Sequence, residues 1–255
     1  MADLEAARTA ELTVSGREPP APEPDEAVMG LVDHLAELRR RLGVSLLAVV
    51  LGSVVGFVLA PRAIDILKAP IPGRLVFTEL GGAFFIQLKI AVVIGVILGM
   101  PVILYELWAF VSPGLTRDER RLARPWVPLA LVFFALGVAV AYIVLPYASA
   151  FLLGFQIPGV LEPLITAEAY FGFITTLFLV FGLVMEFPIV LVLLSRVGIL
   201  TSTRLRSSRR MVILGIAIFA VVATPGGDPI SPTVLGGVMY LLYELSILLV
   251  RWTGR

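Results

Sequence analysis

The chain has 255 residues, 58% of them hydrophobic, with a mean hydropathy of +0.97. That composition excludes a soluble single core and reads as a protein that crosses a membrane several times. There are no cysteines, so disulfides, thiolate metal sites and a cysteine nucleophile are excluded, and the net charge of +1 conceals an acidic start and a basic remainder.

Residues 1–28 carry seven acids against Arg8 and Arg17, and prolines at 19, 20, 22 and 24. Such a segment buries too little apolar surface to fold, which predicts a disordered acidic tail over 1–28 and a membrane domain over 29–255. The first apolar run starts about 40 residues in and outruns the roughly 7–15-residue core of a signal peptide, so it reads as a span and not as a cleaved leader. Ahead of it, Leu31, Leu35, Leu38 and Leu42 share one helix face, with Glu37 off that face.

Six spans follow: Leu42–Ala60, Ala83–Val111, Trp126–Pro146, Tyr170–Leu194, Met211–Ala223 and Pro232–Val250. Span two contains Pro101, which predicts a tilt or kink. Span five, at about 1.5 Å per residue, reaches roughly 20 Å against a hydrocarbon core of about 30 Å, so local bilayer thinning is expected around it. Ser231 followed by Pro232 is a helix-start pair. Gly52/Gly56 and Gly95/Gly99 are each spaced to seat a neighbouring helix closely.

The basic residues set the orientation. Of 20 Lys and Arg, 14 fall in four stretches on one side of these spans: 39–41, 117–124, 196–210 and 251–255. Only Arg62, Lys68 and Arg74 fall on the other side. The positive-inside rule makes the arginine-rich face cytoplasmic, with both termini on it.

Acids planted on or near that face are the candidates for function. Glu37 has two readings: an i+3 or i+4 partner for Arg40 or Arg41, or an acceptor for an external cation. Exposed helical pairs are worth only about 0.3–0.5 kcal/mol, too little to hold Glu37 against a better partner. Glu119 completes a capping-box pattern with Thr116, so it either caps a helix or binds a ligand. Glu186 lies inside span four, two residues before Pro188, which frees the Val184 carbonyl and opens a polar notch. An acid at that depth is costly and marks function or a structural hydrogen bond to another span, and Glu244 in span six has the same two readings. Lys89 and Glu106 lie near span ends, where snorkelling is expected. His34 with Glu37 at i+3 does not make a metal site, and no catalytic motif occurs, so neither enzyme nor cofactor is expected.

Several stretches resemble one family in order and topology: His34–Arg39 before span one, Pro101–Phe110, Glu119–Leu122, Phe181–Pro188, and Thr224 with Pro225. Together they are similar to the TatC family, the multispanning receptor subunit of the twin-arginine protein translocase. The resemblance implies an all-α integral membrane protein with six transmembrane helices, termini inside and the last two spans short. It implies export of folded proteins, driven by the proton-motive force, across a bacterial inner membrane. It also implies that Glu37 and Glu119 bind paired-arginine signal peptides and that Glu186 is the family's intramembrane acid. The implied partners are those peptides, single-span TatA- and TatB-type subunits and the lipid bilayer, in a multimeric complex without nucleic acid. The chain departs from the family in its long acidic start and in Gly226 and Gly227, which leave the role of Asp228 open.

A competing reading is a proton-coupled small-solute transporter using Glu186 and Glu244. Against it, no repeat pair of interrupted helices surrounds a midplane site. The orientation has a direct test in a cysteine-free chain. A cysteine engineered at Asp118 is expected to resist an impermeant maleimide applied to intact cells, and external labelling there would reverse the topology.

Overall fold

The computed structural model describes residues 31–71, 73–114, 120, 126–157, 164–196 and 200–252. The expected tail over 1–28 and the capping box with Glu119 lie outside them. The described residues form α1 (Leu31–Lys68), α2 (Gly82–Val111), α3 (Trp126–Leu153), α4 (Ala167–Val184), α5 (Phe187–Arg196), α6 (Ser202–Ser207), α7 (Arg209–Ala223) and α8 (Ile230–Trp252). A 3-10 turn at Ser112–Gly114 follows α2. The chain is all-helical among these residues, apart from an isolated parallel bridge between Val76 and Thr166. It divides into two units, Met1–Arg39 and Arg40–Arg255. What is described of the first is the start of α1; all packing below belongs to the second.

Five stretches are long and apolar enough to cross a membrane: Asp33–Lys68, Gly82–Gly114, Val127–Leu153, Ala167–Ser195 and Ile230–Arg251. The fifth span read from the sequence is α7, whose 15 residues reach only about 22 Å.

Several helices outrun their expected spans. The first was expected to stop at Ala60, before Pro61, yet α1 continues to Lys68. Proline has no N–H for the carbonyl four residues back, here that of Phe57. Gln87 Nε2 of α2 donates to that carbonyl at 3.3 Å, so a second helix replaces the lost bond. Likewise α3 passes Pro146 and ends at Leu153, and α2 runs through Pro101 as one helix. The start of α8 also differs. Asp228 Oδ1 accepts from the Ser231 N–H at 2.6 Å, so the helix begins at Ile230 and Asp228, not Ser231, supplies the capping side chain.

Span four is interrupted as its proline requires. The Glu186 N–H takes a tightened bond to Leu183 O at 3.1 Å, and α4 gives way to α5 across Met185 and Glu186.

Lipid tails are as apolar as leucine, so helices in a bilayer associate by close packing and polar bonds. The two glycine patterns serve that purpose on each other. A Cβ at Gly52 would stand 2.8 Å from Gly95 O, and one at Gly99 would stand 3.3 Å from Val49 N. A Cβ at Gly56 would run into Ala91 O. The contact between α3 and α4 repeats the device, with Gly137 against the Phe181 backbone and Gly182 under the Phe134 ring.

Packed against both α2 and α3, α4 contributes Ile174, Leu177 and Phe181 to the main core, where they meet Ile90 and Leu145. From α8 come Leu235, Tyr243 and Ile247, and α8 itself lies against α3, α5 and α7. A smaller cluster of Met100, Leu104, Ala130, Phe134 and Ile189 joins α2, α3 and α5.

These approaches set a measurable contrast. Gly95→Val places its Cβ 2.7 Å from Val49 O, so it should cost about 1–3 kcal/mol by overpacking and lower the melting temperature in detergent. Gly43→Ala meets nothing within 4 Å and should leave melting unchanged or raise it. Equal melting of the two variants would show that α1 and α2 do not pack through these glycines.

Candidate functional site

In the first unit, His34 Nδ1 lies 3.7 Å from Glu37 Oε2, one helical turn along the start of α1. This is an i,i+3 contact between side chains at the arginine-rich end of the helix.

In the second unit, charge pairs join neighbouring helices. The Arg41 guanidinium donates to Glu106 Oε2 at 3.0 Å, with both side chains at most 20% exposed. Glu106, near the end of α2, thus holds an arginine of α1. Arg209, the first residue of α7, donates to Glu244 Oε2 at 2.7 Å. Next to Glu244, the Tyr243 hydroxyl donates to Leu205 O at 2.5 Å and ties α8 to α6. Arg120 donates from Nε and a terminal nitrogen to Ser112 O, at 3.2 and 2.9 Å. A guanidinium at a carbonyl left over past a helix end is a favourable C-terminal cap, and it fixes the residue next to Glu119.

The structure therefore separates the acids chosen from the sequence. Glu244 is bound to Arg209. Glu186 stands apart from the pairs. It is 9% exposed, at the break between α4 and α5, and neither of its oxygens meets a donor among the described residues. Ten residues separate it from Arg196, about 15 Å at helical rise, so it lies on the arginine side of the span's middle. Because Glu119 lies outside the described residues, its relation to Glu37 is not part of this geometry. Among the described residues no group of three or more His, Asp or Glu could hold a metal ion.

Three features were missed from the sequence. The Arg41–Glu106 pair joins residues 65 apart, beyond any helical periodicity. Asp228 is 3% exposed and lines an apolar recess of about 730 Å³ between α7 and α8. Glu168, passed over at the start of span four, has both oxygens buried without a donor among the described residues.

The fold has solved counterparts. The family model for the Sec-independent protein translocase protein TatC matches residues 33–237. The chain belongs to the TatC family. It is 38% identical to the TatC protein of Frankia casuarinae, over 89% of this chain and 67% of that one. It is 37% identical to that of Desulforapulum autotrophicum, over 91% and 87%. A chloroplastic TATC of Oryza sativa is 40% identical over 91% of this chain and 66% of its own. A crystal structure described as the twin arginine translocase receptor TatC in DDM superposes with a TM-score of 0.75 at 35% identity, covering 85% of this chain and 99% of that one. The resemblance read from the motifs is thus established. Like other TatC-family members, the chain is a membrane protein of a protein translocase, and protein transport is its class of work.

Glu37, Glu119 and Glu186 fall inside the matched stretch, and Glu244 falls outside it. The isolation of Glu186 generates a test. Removing a buried polar group that has no partner is neutral or stabilising, whereas breaking a structural hydrogen bond costs about 1–3 kcal/mol. Glu186→Leu should therefore keep or raise the melting temperature while lowering protein export. Lower melting with normal export would mark Glu186 as a structural group.

Proposed function

We propose that this chain is the receptor subunit of a twin-arginine translocase. In this reading Glu37 and Glu119 bind paired-arginine signal peptides at the cytoplasmic face, and the complex exports folded proteins with the proton-motive force. The observation that carries it is the likeness to a solved chain described as the twin arginine translocase receptor, with both acids inside the family-matched stretch. Six transmembrane helices, with α7 as the short fifth and both termini inside, go with it. So do single-span TatA- and TatB-type partners, a multimeric complex and a bacterial inner membrane. The division into an acidic tail over 1–28 and a membrane domain over 29–255 belongs to the same proposal.

The chemistry is direct. A guanidinium is planar and always charged, and a carboxylate takes it in bidentate fashion. Two adjacent arginines call for two carboxylates. The chain's own arginines repel basic peptides that lack the paired geometry, so they raise selectivity. Glu106 and Glu244 already hold Arg41 and Arg209, and those two pairs keep the rest of the face from acting as an indiscriminate cation trap. Glu186, inside span four and unpaired among the described residues, acts after peptide binding, in transport or in a partner contact.

Affinity and stability measured on the same purified variants separate recognition from capping. Glu37→Ala or Glu119→Ala should weaken binding of a twin-arginine peptide by about 1–3 kcal/mol, the scale of hydrogen bonds to charged groups. Lysine at either position should be worse, because it adds repulsion. If Glu119 only caps a helix, its substitution lowers stability and leaves affinity intact. Unchanged affinity in the double Glu→Ala variant ends the two-carboxylate proposal.

A further inference from the structure

The recess between α7 and α8 lies at the end of α7 opposite Arg209, and the proposed receptor chemistry does not use it. It holds about 730 Å³ and runs from the turn at Gly227 and Asp228 to Tyr240. Tyr240 is ten residues past the start of α8, about 15 Å at helical rise, or about half of a hydrocarbon core. A Cβ at Gly227 or at Gly237 would meet nothing within 4 Å, so both glycines border open space. Val221 and Tyr240 also line the recess and are exposed, so it opens on the outside of the bundle, where a membrane protein meets lipid.

Among the described residues one charged side chain lines this apolar space, that of Asp228, and no lysine or arginine does. Asp228 is 3% exposed. Its Oδ1 accepts from the Ser231 N–H, while Oδ2 meets no donor among the described residues. The threonines of the recess do not supply one: Thr224 Oγ1 donates to Ala220 O at 2.8 Å, and Thr233 Oγ1 donates to Pro229 O at 2.6 Å. A carboxylate oxygen held away from water without a donor is costly, and a cationic N–H satisfies it best.

The length of α7 says where such a donor comes from. Its 15 residues reach about 22 Å, against a hydrocarbon core of about 30 Å. A bilayer thins beside so short a helix, which brings lipid headgroups to the level of the Asp228 turn.

We propose that the recess holds a phospholipid with a primary ammonium headgroup. One acyl chain lies between α7 and α8 beside Gly237, and the ammonium donates to Asp228 Oδ2. The lipid class follows from the donor. Phosphatidylethanolamine carries N–H groups. Phosphatidylcholine has the same net charge and no N–H, and phosphatidylglycerol is an anion that the carboxylate repels. Asp228 thus serves twice, with one oxygen for the helix start and one for the headgroup. The site needs only a bilayer, so it stands or falls apart from the receptor reading.

The test uses the purified full chain in nanodiscs made from equal parts of these three lipids with matched acyl chains. Lipid that stays bound through gentle delipidation is identified by mass spectrometry. Phosphatidylethanolamine should be retained over phosphatidylcholine by about three- to fivefold, the scale of one ion pair in contact with water. Asp228→Asn keeps an acceptor for the Ser231 N–H and so keeps the helix start, but the preference should vanish. Gly237→Leu fills the open space without a clash and should release the bound lipid while Asp228 stays in place. Equal retention of the two zwitterionic lipids, or a preference that Asp228→Asn leaves intact, would overturn the site. So would a dimer that Gly237→Leu dissociates with no change in bound lipid, which would put a second copy of the chain in the recess.

Discussion

A carboxylate inside a bilayer is tolerable only when a cation or a set of donors meets it, or when function retains it. That constraint sorts the acids of this chain. Glu106 and Glu244 meet Arg41 and Arg209, and by doing so they bind α1 to α2 and α7 to α8 at the arginine-rich end. Asp228 meets a backbone N–H and starts α8. Glu186 and Glu168 meet no donor among the described residues. Glu186 lies at the break between α4 and α5, and Glu168 lies in the first turn of α4, beside the bridge at Thr166.

The frame itself depends on how closely backbones approach. Apolar side chains gain nothing by leaving lipid for one another, so contact area and polar bonds decide which helices associate. Glycines at 52, 56, 95 and 99 bring α1 onto α2, and those at 137 and 182 bring α3 onto α4. Proline is accommodated by the same closeness. Pro61 leaves the Phe57 carbonyl without its donor, and Gln87 reaches it from α2 only because that helix is near. At Pro188 the helix breaks instead, and Glu186 is buried at that break.

The ion pairs at the arginine-rich end also hold charge in place. Arg209 bound to Glu244 and Arg41 bound to Glu106 neutralise part of that face. In the proposed receptor reading, the arginines that remain repel a merely basic peptide.

Much of this was present in the order of the residues. The apolar runs, the arginine asymmetry and the motif stretches around Glu37, Glu119 and Glu186 identified an all-helical membrane protein and its family, because hydropathy and charge act locally along the chain. The position of Pro188 after Glu186 was enough to locate the interruption in span four, since a proline's missing N–H is a property of one residue. The continuation of α1 to Lys68, the partners of Arg41 and Glu244, and the seat of Glu168 were decided by the tertiary structure. Each depends on a group from a distant segment: Gln87 across from Pro61, Glu106 from Arg41 65 residues away, Gly82 beneath Glu168. Periodicity reports which face of a helix is apolar, but it carries no information on which other helix will face it. Only packing brings those groups within bonding distance.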